Sequence, residues 1–187
     1  MKKKCILAAF MLLTSSLFAA GIQDKILSLH KQGETMTTTF IEVKVMPKMK
    51  KEMKKEGTLV FTAPDNLRLD YTTPAGDYTL ITATDFETLR NGKVQKLPIK
   101  NPQNRWTILR STLLLAFSGK VEEMAALNHA TAEYKEEAGE YVCTLTANEK
   151  QPQDIAQLVV AYNKKTGQLQ RLTVMEANGN YTTYSVK

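Results

Sequence analysis

The chain is poor in the residues that carry out most enzymatic chemistry. Its 187 residues hold two histidines, two cysteines and one tryptophan. No HExxH, CxxC, GxSxG or glycine-rich phosphate loop occurs, so the spacings that build zinc sites, nucleophile elbows and nucleotide cradles are missing, and no cofactor or metal is expected. No apolar run reaches the ~20 residues that a membrane-spanning helix needs. Charge of one sign does not dominate either, with 25 Lys plus Arg against 19 Asp plus Glu. Without a basic stripe interleaved with aromatics, the sequence lacks the footprint of a nucleic-acid binder.

What is present begins with a leader. Three lysines precede "CILAAFMLLTSSLFAA", a basic start followed by an apolar stretch and small residues, which predicts a secretory signal peptide over residues 1–20. Cleavage falls near Ala19, Ala20 or Gly21. Removing the leader takes Lys2, Lys3 and Lys4 away and leaves a net charge of +3, from 22 cations against 19 anions. Cys5 leaves too, so Cys143 has no disulfide partner in the chain. Because Cys5 precedes the apolar stretch instead of following a cleavage site, no lipid anchor is expected. The mature protein, residues 21–187, is predicted to be one exported, soluble domain and a monomer.

After a short amphipathic helix carrying Ile22, Ile26, Leu27 and His30, with Gly33 as its stop, the sequence alternates apolar and polar residues. Eleven such segments run from "TMTTTFIEVKVM" to "YTTYSV". Asn91-Gly92, Ala138-Gly139, Thr166-Gly167 and Asn178-Gly179 are the turn dipeptides between several of them. The connections are too short for helical crossovers, which predicts an antiparallel sheet. One interruption, 104–128, places Trp106, Leu109, Leu113, Leu114 and Phe117 on a helical stripe that Gly119 ends. The fold class is therefore α+β: a curved antiparallel sheet of about eleven strands with helices packed on its concave side.

The span "GTLVFTAPDNLRLDYTTP" shows what that concave face is made of. Leu59 and Phe61 share one side of the first strand, and Leu67, Leu69 and Tyr71 share one side of the second, opposite Arg68 and Asp70. Such a face is either core beneath the helices or the wall of a ligand cavity, since a few short helices leave much of so wide a sheet to be covered.

The order "TFIEVKVM", then "EGTLVFTAPDNLRLDYTTP", then the closing "QLQRLTVMEANGNYTTYSV" resembles the periplasmic outer-membrane lipoprotein carriers, the LolA-like family. The resemblance implies an open, incomplete antiparallel β-barrel, its concave face covered by helices as a lid, whose apolar interior receives the acyl chains of lipoproteins and ferries them toward the outer membrane. It also implies an inner-membrane release complex and an outer-membrane acceptor as partners. On the matching positions Leu59, Phe61, Leu67, Leu69 and Tyr71 would line the cavity, Leu67 nearer its rim, and Trp106, Leu109, Leu113 and Phe117 would form the lid. Where members of the family carry a basic residue before the proline that holds the lid, this chain has Ala63. Arg68 either takes that role or lies on the outer face paired with Asp70.

Two other classes stay open at this point: a carrier of another lipid or glycolipid, and a non-enzymatic module whose sheet face docks a protein. The segment "MPKMKKEMKKE", with Lys50 and Lys51 at its centre, is either a solvated loop or a basic hairpin tip that meets anionic head groups or an acidic partner. His30 reads as helix surface, His129 as the start of a strand, and Cys143, alternating with Tyr141 and Leu145, as a buried inert thiol. No catalytic residue is assigned.

Overall fold

A computed structural model describes residues 21–30, 34–98, 105–149 and 155–187. The signal peptide, the predicted stop at Gly33 and Asn104 lie outside the described residues. Eleven strands form a single antiparallel sheet, with helix α1 (21–29) preceding it. The strands are β1 (Thr35–Met46), β2 (Lys51–Thr62), β3 (Asn66–Thr73), β4 (Ala75–Ile81), β5 (Asp85–Arg90) and β6 (Lys93–Pro98). Helices α2 (Arg105–Phe117) and α3 (Val121–Leu127) follow, then β7 (Ala130–Glu136), β8 (Glu140–Ala147), β9 (Ile155–Asn163), β10 (Leu169–Glu176) and β11 (Tyr181–Val186).

The spatial order is β6-β5-β4-β3-β2-β1-β11-β10-β9-β8-β7. First and last strands meet in the middle, and the sheet grows outward to unpaired edges at β6 and β7. It does not close on itself. The chain crosses from one edge to the other only between β6 and β7, and that connection contains α2 and α3, so topology alone places the helices over the open sheet. This is the antiparallel sheet that the alternation predicts and the incomplete barrel that the family resemblance implies.

Register keeps the apolar residues together. Leu59 pairs with Leu69 and Phe61 with Leu67 across β2 and β3, and Leu67 pairs with Ile81 of β4. Tyr162, Phe40, Leu145, Leu158 and Leu172 are fully buried on the same inner face. Cross-strand neighbours of this kind are what stabilise a sheet. Gly57 sits where β2 and β3 slip register. A Cβ there would lie 1.9 Å from the Asp70 carbonyl oxygen, so only glycine permits the close approach that tightens the sheet at this point.

Helix α1 packs Ile22 and Ile26 into the core and closes one end of the barrel. Gly119, at φ +70°, turns the chain between α2 and α3 directly against it, where a Cβ would meet His30 and Ile26. His30 is thus half-buried instead of surface: its Nδ1 lies 2.9 Å from the Ile26 carbonyl oxygen, and its ring stands edge-on to Tyr162. His129 does precede β7, in a left-handed conformation at φ 48°.

Candidate functional site

Between α2 and the inner face lies a cavity of about 320 Å³. Leu69, Phe86, Leu109, Leu113 and Val174 give it hydrocarbon walls, and Trp106, 43% exposed, stands at its edge with its ring 5.4 Å from that of Phe86. Along β1, β5 and β11 the lining becomes polar toward the β1–β2 hairpin, with Glu42, Lys44, Thr88, Arg90, Thr182 and Tyr184; Glu176 lines it beyond Val174, and Thr79 faces Leu69.

A chain of contacts organises the polar end. The Arg90 guanidinium lies 4.3 Å from the Tyr71 ring centroid and donates through Nη2 to Tyr71 Oη at 3.1 Å and to Thr79 Oγ1 at 2.9 Å. Tyr71 Oη in turn donates to Glu42 Oε2 at 2.7 Å. Burial, then the neighbouring Glu42 carboxylate, push the Tyr71 hydroxyl well above its ordinary pKa, so it stays a donor. Asp77, nearly buried, lies 3.8 Å from Arg90 Nη1 and accepts from the Asn91 amide. Lys55 reaches over the Tyr71 ring at 5.2 Å.

Helix α2 is held by side chains from several elements. At its C-terminal end Tyr162 Oη donates to the Ala116 carbonyl, and Gln23 donates to the Gly119 carbonyl while accepting from the Val121 amide. Asn128 ties Thr112 to the carbonyl of Met124. Nearer the N-terminal end, a short hydrogen bond from Arg110 Nε to the Thr82 carbonyl, 2.6 Å long, joins the helix to the loop after β4. Arg110 is 8% exposed, and burial lowers its pKa while Asp65 and Asp85 raise it.

Of the residues proposed from sequence, Leu69, Tyr71, Trp106, Leu109 and Leu113 line this cavity. Leu59 and Leu67 do not. Both are buried to 1% or less in close-packed core, so Leu67 is the more enclosed of the β3 leucines and not the one nearer water. Phe61 and Phe117 contact each other, ring centroids 5.4 Å apart, beside a separate pocket of about 90 Å³ near α1. Arg68 is no latch: one residue out of phase with Leu67 and Leu69, it points outward and binds Asp70 through two 2.7 Å hydrogen bonds. Lys50 and Lys51 are exposed where a single 3₁₀ turn, Pro47–Met49, joins β1 to β2. The basic segment is therefore mostly strand, ending in a hairpin tip.

Sequence reasoning missed Glu42, Lys44, Thr79 and Arg90. The signal was there in parity: Glu42 and Lys44 follow the inward Phe40, Thr79 precedes Ile81, and Arg90 follows Phe86, each at even spacing.

The family profile described as "Outer membrane lipoprotein carrier protein LolA" matches residues 31–187. No curated protein matches the chain. Among solved structures, a LolA superfamily protein from Nitrosomonas europaea is similar at 9% identity, over 90% of this chain and 91% of that one, with a TM-score of 0.41. A putative outer membrane lipoprotein-sorting protein domain from Vibrio parahaemolyticus is 9% identical over 89% of both chains, with a TM-score of 0.44. MucB, solved in complex with MucA, is 10% identical with a TM-score of 0.46, and the match spans 89% of this chain and 53% of MucB.

Proposed function

Because the chain belongs to the LolA outer membrane lipoprotein carrier family, we propose that it is a periplasmic carrier that takes up acyl chains of lipoproteins beneath α2 and ferries them toward the outer membrane. It acts by burial and release, without catalysis. Its partners on this reading are an inner-membrane release complex and an outer-membrane acceptor, with the basic β1–β2 hairpin tip as a contact surface for one of them.

The observation that carries the reading is the cavity bounded by Leu69, Phe86, Leu109 and Leu113 beneath helix α2. Each buried methylene contributes about 0.8 kcal/mol, so ten of them supply about 8 kcal/mol, enough to offset association costs that begin near 4 kcal/mol. At about 320 Å³ the cavity stands at the lower end of the ~300–1,000 Å³ typical of small-molecule sites. Larger cargo would enter by swinging the Trp106 end of α2 outward about the Ala116–Val121 junction. None of the helices among the described residues is long and apolar enough to cross a membrane.

The test is titration of the mature protein with a fluorescent acyl probe, followed through Trp106 emission and through displacement by a diacylated lipopeptide. Saturable binding that the lipopeptide displaces is expected. A protein that binds no acyl probe, and from which extraction recovers no lipid, would refute the carrier function.

A further inference from the structure

The cavity is not uniformly oily, and its polar end has a particular imbalance. The Glu42 carboxylate already has a partner in Tyr71. The cations are less well served. Arg90 Nη1 is buried with no hydrogen-bond partner among the described residues, being 3.8 Å from Asp77. Lys44, half-buried on the cavity wall, has no ion pair among the described residues, and Lys55 lies over the face of the Tyr71 ring. A buried donor without an acceptor is costly, and a donor of this charge is best satisfied by an anionic oxygen.

The direction of the lining matters as much as its charge. Leu69, Leu109 and Leu113 form the hydrocarbon part, whereas Lys44 on β1 and Arg90 on β5 each lie four residues further toward the β1–β2 hairpin end than the inward Phe40 and Phe86 of their strands. We propose that the site takes a single-chain amphiphile with a compact anionic oxygen head group, carboxylate or phosphate, seated between Lys44 and Arg90, with its chain running toward Leu109 and Leu113. This rests on the carrier reading only in its burial of an acyl chain beneath α2: the ester- and amide-linked chains of a lipoprotein carry no such anion, so the ligand proposed is a free single-chain amphiphile taken by the same cavity.

The experiment measures calorimetric binding of three twelve-carbon ligands to the mature protein below their micellar concentrations: dodecanoate, dodecanol and dodecyltrimethylammonium. Dodecyl phosphate is added to separate the two anionic heads. One charge-assisted hydrogen bond predicts that dodecanoate or dodecyl phosphate binds roughly tenfold or more tightly than dodecanol. The cationic ligand should bind weakest. Lys44→Gln, at a site with no ion pair to lose, should cut affinity for the anionic ligands about tenfold and leave dodecanol unchanged. Arg90→Lys, which keeps a cation beside Asp77, should weaken both anions as well. Equal binding of dodecanol and dodecanoate, unaffected by Lys44→Gln, would overturn the head-group assignment while leaving the carrier function standing. Failure of all four ligands to bind would overturn the head-group assignment, and only if the acyl probe failed and extraction recovered no lipid as well would the carrier function fall with it.

Discussion

Replacing Arg110 with methionine tests whether α2 opens from its Trp106 end. Methionine retains an unbranched apolar stem in the same space and removes the guanidinium. What is lost is the 2.6 Å hydrogen bond to the Thr82 carbonyl, whose donor is charged and almost completely buried. Hydrogen bonds to charged groups contribute about 1.5–3 kcal/mol, and the carbonyl left behind adds a desolvation cost. Relief from burying the guanidinium, the same burial that lowers its pKa, works in the opposite direction. The balance is a loss of about 1–2 kcal/mol, which raises the population with this end of α2 open by roughly 5- to 30-fold.

Amide hydrogen exchange resolves that change by region. Peptides covering the first two turns of α2 should exchange faster by that factor, while those from β8, β9 and β10 stay at the parent rate. Gln23→Ala serves as the contrasting variant, since it breaks two bonds at the Gly119 and Val121 end. Its effect should appear as a lower melting temperature with faster exchange in α1 and the α2–α3 junction, not as selective opening near Trp106. If Arg110→Met left α2 exchange unchanged, or sped up sheet and helix equally, the hinge argument would be wrong.

Two further outcomes follow from the same structure. Leu67→Glu places a carboxylate in close-packed core and should destabilise by several kcal/mol, whereas Leu69→Glu, on the cavity wall, should melt closer to the parent and lose binding of the acyl probe. Thermal melts in the reverse order would show that the cavity is not where the lining residues put it. Burial pushes the Cys143 thiol from 9.0 up to about 12, which favours the protonated form in the folded state. Its contribution to stability is complete below pH 9.0 and disappears as pH rises through about 12, and buried Tyr162 shifts in the same direction. Urea midpoints should therefore fall between about pH 8 and about pH 10.5, less so in Cys143→Ala, and a flat profile would contradict the buried assignment.

How much of this was legible in the sequence depends on the length scale of the signal. All eleven strands could be read because alternation is local: each pair of residues reports its own face. The helical stripe was harder. Leu113 and Phe117 are buried as their spacing predicts, but so are Arg110, Thr112 and Ala116 from other sides of α2, because α1, α3 and the sheet enclose the helix, and one-sided spacing cannot reveal that. Arg110 read as a polar residue in an apolar run, and nothing nearby in sequence announced Thr82 as its partner.

The polar end of the cavity was legible in principle, provided the alternation was followed past the last apolar residue. Phe40 leads to Glu42 and Lys44, Phe86 to Thr88 and Arg90, Val174 to Glu176, and, in the opposite chain direction, Ile81 to Thr79 and Asp77 and Val186 to Tyr184 and Thr182. Antiparallel pairing turns these reversed orders into one spatial direction: Phe40 faces Val186 and Lys44 faces Thr182, just as Ile81 faces Phe86. Strands from β5 across to β10 thus change from hydrocarbon to hydrogen-bonding groups toward the same end of the barrel. A fold needs only the hydrocarbon half of that gradient to form a core. The other half places charged groups inside a cavity at the expense of desolvation, and an amphiphile whose head and chain run in the same direction recovers that cost on binding.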